Sequence, residues 1–496
     1  MTNGLHQGNL LWIGVAVYLI LMILLGIFAG RRVRSLADFL VAGRRLPFSM
    51  ATATLLATWF GAGTCIGIAA AVYQGDLRSV IADPFAVSLS LVLAGFLLVG
   101  VLRRLRCMTV TDIIQERFGR GAGIYASLWM IPAYIGSLSA QILGIGMILN
   151  LITGLHPVTA QLIAAAVVLT YTVAGGMWAV TLTDAVQIVL IAAGLLLVAP
   201  IAIREAGGME AVFCNPAVDY SLLPAACDRG SASAWVNYTG NWLIMGLGCM
   251  VGQDLLQRTL SCRTSKIAVA STFCTAILYF LLALIPVAIG LTAKILLPKW
   301  GVESAALDGV LQNQVMPRIA AGVLGGISPW LLLLFFGALI SAVMSTADSS
   351  LLAASGLLVR NVIQPLLPEL PEEKQLLLTR IATVVILVLS TVLALAAKSV
   401  YSLMISAWAS QLVIVLIPVF AAVYLPHTKA CTIWHTMLTA TAVWLGYMIV
   451  AAIKIPGTLL EILDSGKFQY ELTNGSVYGF AAGLIVFGIS AIFTRR

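Results

Sequence analysis

The chain has 496 residues, 60% of them hydrophobic and only 10% charged, with a mean hydropathy of +1.02. A water-soluble domain of that size does not carry so little charge, so the class that remains is a polytopic membrane protein. The net charge of +8 would suit a nucleic-acid partner, but the basic residues fall in clusters between apolar runs, which excludes that reading.

Apolar runs long enough to span a bilayer lie at 9–29, 47–73, 81–102, 122–152, 157–178, 183–203, 236–257, 267–296, 326–359, 379–397, 401–425, 432–453 and 475–494. They predict an all-α protein of about thirteen transmembrane helices. The first run is too long for a signal peptide and no small-residue cleavage site follows it. Arg31, Arg32, Arg34, Arg44 and Arg45 follow the first run, and Arg103, Arg104, Arg106, Arg117 and Arg120 follow the third. Arg258, Arg263 and Lys266 follow the seventh, and Arg495 and Arg496 stand at the end of the sequence. The loops at 74–80 and 153–156 are nearly devoid of Lys and Arg. This alternation predicts a multi-pass protein of a cell membrane, on the bacterial pattern an inner membrane, with its N-terminus outside and its C-terminus in the cytoplasm. Six of the eight cysteines lie in or beside helices as small apolar fillers. Cys214 and Cys227 share one outside loop, where an oxidising compartment would permit a disulfide.

The loop at 204–235 separates two blocks of five helices, 47–203 and 236–425, and each block opens on a helix interrupted by small residues. The first carries Phe60-Gly61-Ala62-Gly63-Thr64; the second carries Gly246-Leu247-Gly248 and Gly252-Gln253-Asp254. Clustered glycine lets a backbone unwind where it lines a cavity. Paired interrupted helices at matching positions point to the binding site of a secondary transporter. Further along, Ser341, Ser345, Thr346, Asp348, Ser349 and Ser350 crowd a segment that a lipid-facing helix would fill with Leu and Val. An ionisable residue at such depth is costly and marks function. The Ala342-x-x-Ser345-Thr346 spacing sets hard oxygens on one helical strip, as a dehydrated Na⁺ requires.

In these stretches the sequence resembles the sodium:solute symporter family, and most closely its choline-carrier members. The resemblance rests on Asp38 through Leu46, on Thr109 to Gly119, on Tyr171 to Gln187 around Gly175-Gly176, on Gln257-Arg258, and on Ala342 to Thr346. It implies a leucine-transporter-type inverted repeat of five plus five helices over one domain, 1–496, with an extra helix at 9–29 and further ones in 432–494. It implies a sodium site formed by the hydroxyls of Ser345 and Thr346 and the carbonyls of Ala57, Phe60 and Ala342. In some members a second cation is held after the Gly-Gly helix, and here Asp184, Asp348 and Ser349 occupy those positions.

Trp59 lies in the interrupted stretch, where an indole face can hold an ammonium group. Asp83, Gln253 and Asp254 add polar groups at membrane level, and the two acids favour a cationic or amine-bearing solute. Two further tryptophans of choline carriers are replaced, by resemblance, with Ala140 and Gly252. His6, His156, His427 and His435 are scattered, and neither a hydrolytic triad nor a phosphate loop appears, so no enzyme is expected. The sequence thus reads as a Na⁺-coupled symporter importing a small organic solute by alternating access, needing the lipid bilayer and no obligatory protein partner. The alternatives are an amino-acid or small-carboxylate symporter of proline or pantothenate type, or a solute sensor that does not transport.

Overall fold

A computed structural model describes residues 8–302, 314–396, 408–456, 462 and 465–494. His6, Arg495, Arg496 and parts of the runs expected at 379–397 and 401–425 lie outside the described residues, as do parts of the loops at 297–325 and 455–473. The described residues form fifteen principal helices and no strand. They are α1 (Gly8–Gly30), α2 (Phe48–Trp59), α3 (Gly63–Gly75), α4 (Leu77–Arg104), α5 (Arg120–Thr153) and α6 (Pro157–Glu205). There follow α7 (Ala232–Leu243), α8 (Gln253–Leu260), α9 (Ser265–Lys299), α10 (Val315–Leu324) and α11 (Pro329–Leu366). The last are α12 (Glu372–Ala396), α13 (Trp408–Tyr424), α14 (Ala430–Lys454) and α15 (Gly466–Thr494).

Nine continuous helices among the described residues are long and apolar enough to cross a membrane, and the bent pair α2–α3 makes a tenth. The runs at 157–178 and 183–203 are joined in the single 49-residue α6, which at about 1.5 Å per residue would be twice a bilayer's thickness. Gly176 breaks it, with φ 48° and ψ −140°. A Cβ there would lie 2.6 Å from both the ring and the carbonyl of Phe39, so only glycine serves.

Local chemistry starts the helices where the chain must turn into the bilayer. Thr109 and Asp112 form a capping box at Val110–Phe118, Thr264 accepts from Ile267 N–H at the head of α9, and Ser328 precedes Pro329 at the head of α11. Outward faces stay apolar: Ile13, Val17, Ile20 and Leu24 form an exposed stripe along α1 at helical spacing. In hydrocarbon such a stripe costs nothing, whereas unpaired backbone would. By contrast α11 is almost wholly buried, packed between α5 and α6. Cys214 and Cys227 are exposed and both are free thiols, so the disulfide that their shared loop would permit is absent from this fold.

The arginines gather at one end of the bundle, where the backbone of Leu46 pairs with that of Ser261 and Arg263. At the other end Lys294 pairs with Asp76 at 2.5 Å and Arg78 with Asp219 at 3.3 Å.

Replacing Gly176 by Ala is expected to destabilise the protein by at least about 2 kcal/mol, because it combines positive φ with two clashes. Gly446, where a Cβ meets open space, is the control. Thermal unfolding in detergent should fall for Gly176→Ala and hold for Gly446→Ala.

Candidate functional site

The site begins where α2 ends. Trp59 closes the helix, Phe60 takes φ −90° and ψ 61°, and α3 resumes at Gly63 with a bend of 54°. Such a break frees backbone carbonyls inside the protein, and α11 answers them with hydroxyls. Ser345 Oγ donates to the carbonyls of Ala57 at 2.8 Å and Ala342 at 2.9 Å. Thr346 Oγ1 donates to Thr58 O at 2.7 Å and reaches Ala342 O at 3.4 Å. Five oxygens from two helices therefore lie within one hydrogen-bond length of a neighbour, with no aliphatic group between them. Carbonyl and hydroxyl oxygens of this density suit a hard monovalent cation. Phe60 lies in the bend itself, its N–H closing on Leu56 and Ala57 and its ring edge-on to Tyr279. Thr58, whose carbonyl joins the cluster, was not singled out in the sequence. Gly61 is needed here for space, since a Cβ would meet Thr346 Oγ1 at 2.5 Å.

One helical turn further along α11 lies a second polar group, also buried. Asp184 Oδ2 accepts from the Thr54 hydroxyl, while Asp184 Oδ1 has no partner. Asp348 accepts from Tyr171 at 3.0 Å and from Ser349 at 3.3 Å. Ser349 in turn lies 3.3 Å from the Thr58 hydroxyl and accepts from the guanidinium of Arg258, a side chain only 1% exposed. Asp184, Asp348 and Ser349 are thus brought together around Thr54 and Thr58 of α2. The group carries two carboxylates and one guanidinium. Arg258, placed by the sequence in a basic cluster and in the Gln257-Arg258 motif, also reaches the Asp254 carbonyl, at 3.0 Å.

The aromatic side of the break holds the solute candidates. The Trp59 and Trp408 rings stack at 5.9 Å and 15°, Tyr134 stands edge-on to Trp408 at 5.8 Å, and Tyr279 edge-on to Trp59 at 6.5 Å. Asp254 Oδ1 accepts from Tyr134 at 3.0 Å, and Asp83 accepts from Tyr279 at 2.5 Å and Thr64 at 2.8 Å. Each acid therefore lies one phenol behind an aromatic wall. Gln253 is placed otherwise: its amide binds Val110 N–H at 2.7 Å and Met108 O at 3.3 Å, which ties α8 to the segment before Val110. Trp408 and Gln411 were missed by sequence reasoning. Trp408 lies over Gly252, where a Cβ would come within 3.2 Å of its ring, so one indole fills the space that another side chain at 252 would take. Gln411 follows one turn later on the same helix, fully buried, with neither amide atom paired. An unpaired buried amide is costly, which is the signal of a ligand group. Ala140 is buried and small.

A bundle of apolar helices with a broken span, and oxygens turned inward at the break, is the arrangement of a multi-pass secondary transporter. The family profile of the sodium:solute symporters matches residues 39–439, and the chain belongs to that family. A high-affinity choline transporter of Caenorhabditis elegans is 27% identical over 84% of this chain and 74% of its own length. The counterpart from Drosophila melanogaster is 28% identical, over 90% and 70%. The sodium/pantothenate symporter of Escherichia coli is 26% identical over 77% and 78%. Among solved structures, a Na⁺-coupled sialic acid symporter superposes with a TM-score of 0.75 at 19% identity over 97% of both chains. A nucleobase–cation-symport family transporter gives 0.55 at 14% identity, over 91% and 95%. The fold is therefore of the leucine-transporter type, and the protein is a sodium-coupled, membrane-embedded carrier of a small solute and not an enzyme.

Thr346→Ala is expected to raise the Na⁺ concentration for half-maximal uptake about tenfold or more, the usual loss for one group on a charge. Protein abundance should hold. Abundance and Na⁺ dependence falling together would instead mark Thr346 as a packing residue.

Proposed function

We propose that this carrier imports a small cationic or amine-bearing organic solute together with Na⁺, by alternating access. The observation that carries the reading is the Trp59–Trp408 pair flanked by the two buried acids, Asp83 and Asp254. Ring centroids 5.9 Å apart leave no room for a ligand between them, so the solute enters as the rings part and each offers a face to the ammonium. Asp254 and Asp83 act behind Tyr134 and Tyr279, making the phenol oxygens richer acceptors and the cavity negative. Gln411 supplies a neutral hydrogen-bonding group on the Trp408 helix, which favours a solute with an ammonium at one end and a hydroxyl or carbonyl oxygen at the other. The similarity to choline transporters agrees with this chemistry.

Na⁺ binds first, between the Ala57, Phe60 and Ala342 carbonyls and the Ser345 and Thr346 hydroxyls, with the Thr58 carbonyl beside them. The hydroxyls that now donate to carbonyls turn their lone pairs to the ion. That fixes the α2 break, and with it Trp59, two residues from Ala57. Coupling requires that ion and solute favour the same conformation. Each inward Na⁺ contributes about 2.3 kcal/mol per 100 mV and roughly 1.4 kcal/mol per tenfold gradient. The group of Asp184, Asp348, Ser349 and Arg258 is one positive charge short of neutral when all are ionised, and a second cation at Asp184 Oδ1 would supply it. Gln253, held by the backbone of Val110 and Met108, is left outside the solute site in this reading. The arginine-rich end faces the cytoplasm, in a bacterial inner membrane, and the two five-helix repeats span 47–203 and 236–425.

Uptake into proteoliposomes with an imposed Na⁺ gradient tests the whole reading, using radiolabelled choline, betaine, proline and pantothenate. Gradient-driven accumulation of an ammonium solute is expected; binding with no accumulation would leave a sensor, and proline or pantothenate uptake alone would move the acids out of the solute site. Trp408→Ala should raise KM for an ammonium solute about tenfold, in the range of a desolvated cation–π contact. Gln411→Leu should remove the preference for choline over ethyltrimethylammonium, which lacks the hydroxyl, and uptake of the latter should be unchanged.

A further inference from the structure

At the arginine-rich end, outside the solute and sodium sites, a cavity of about 400 Å³ is lined by Arg44, Arg103, Arg104, Arg106 and Arg263, with Thr264 and Ser265. No carboxylate lines it. Two of the arginines are built into the fold: Arg44 donates to Arg106 O at 2.5 Å, and Arg103 donates to Cys262 O at 2.7 Å and Arg263 O at 3.2 Å. These bonds fix the guanidiniums in direction, yet Arg44 Nε stays buried and unpaired. The backbone is strained to the same end, since Arg44 and Arg106 both hold positive φ, 59° and 58°, where L-residues are disfavoured. Burial, and then the charges of Arg103 and Arg106, pull Arg44 below the usual arginine range. Five like charges around one cavity, two of them held in place by the fold and three exposed, call for an anion.

We propose that this cavity is a binding site for a phosphate-type anion, presented by a phospholipid headgroup or by a free polyphosphate. Planar guanidinium forks match tetrahedral oxyanions two bonds at a time, better than they match a lone carboxylate. Arg103 and Arg104 end the membrane helix α4, and Thr264 caps α9, so the cavity lies at the depth of lipid headgroups. Basic pockets between membrane helices hold anionic headgroups in this way. The cavity lies beside a backbone joint. Leu46 N–H donates to Ser261 O at 3.0 Å and Arg263 N–H to Leu46 O at 2.9 Å, joining the entry of α2 to the exit of α8. An anion bridging Arg44, Arg104 and Arg263 would sit across that joint, between α4 and the head of α9.

The test uses the full chain in nanodiscs, with two probes: short-chain phosphatidylglycerol, and inorganic pyrophosphate in purely zwitterionic lipid. Arg104→Gln/Arg106→Gln/Arg263→Gln removes three guanidiniums. Arg31→Gln/Arg34→Gln/Arg45→Gln removes the same charge from the neighbouring basic surface. Loss of phosphatidylglycerol binding by at least about tenfold in the first variant alone assigns a lipid site. The same selective loss for pyrophosphate alone assigns a soluble anion to the same cavity. Equal binding by wild type and the first variant, or equal loss in both variants, overturns the proposal. Arg104→Gln/Arg106→Gln, at two exposed positions, repeats the comparison should the triple variant unfold early.

Discussion

The constraint on which the structure turns is that backbone polar groups inside a bilayer must be satisfied within the protein. Breaking α2 at Trp59 frees carbonyls in a place with no water to take them. The hydroxyls of Ser345 and Thr346 meet that need at Ala57, Thr58 and Ala342. This explains why α11 is buried on nearly all sides, why α5 and α6 enclose it, and why Gly61 cannot carry a side chain. A bond between a hydroxyl and a carbonyl in such a place is also exchangeable. A cation can take both oxygens as ligands and leave neither unpaired, so the closure has two satisfied states of similar geometry.

Charge is handled by the same economy of partners. Arg258 is almost fully buried, with one Nη on Ser349, the other on the Asp254 carbonyl and Nε unpaired, while two carboxylates stand nearby. That arrangement links α8 to α11 and, through Thr58, to α2. A change at the ion cluster therefore reaches α8 through Ser349, and α8 also carries Asp254, hydrogen-bonded to Tyr134 on the aromatic wall. Polar groups that would be expensive singly form one connected set.

The helices were legible in the sequence because bilayer crossing imposes a length and an apolar composition that need no tertiary knowledge. The oxygen cluster on α11 was legible for a similar reason, since Ala342, Ser345 and Thr346 are local in sequence and chemically out of place. What escaped depends on long-range packing. Trp408 and Gln411 sit on a helix with no local motif, and only the fold lays the indole over Gly252 and leaves the amide unpaired. Gln253 looked like a site residue beside Asp254, yet its partners are backbone groups of residues 108 and 110, across a separation no spacing rule reaches. Arg258 was visible as a basic residue after the seventh run, but its burial against Ser349 and the Asp254 carbonyl depends on the fold. The two helices within α6 were legible as two apolar runs, and only the place of the break, at Gly176, was not, because a glycine break and a short loop look alike in composition.

In the proposed reading, ion and solute chemistry meet in a stretch of four residues. Ala57 and Thr58 give carbonyls to the α11 hydroxyls, Trp59 gives its ring to Trp408, and Phe60 makes the bend between them. These residues share one backbone, so the direction of the Trp59 ring depends on the path of the chain through Ala57 and Thr58. A ligand that fixes that path lowers the ordering cost of the other, which is cooperative binding without direct contact. Because the stretch is a helix end and not a loop, the path has few alternatives, and the coupling is carried by geometry already paired on both sides. Distance between the two sites therefore matters less than their common anchor.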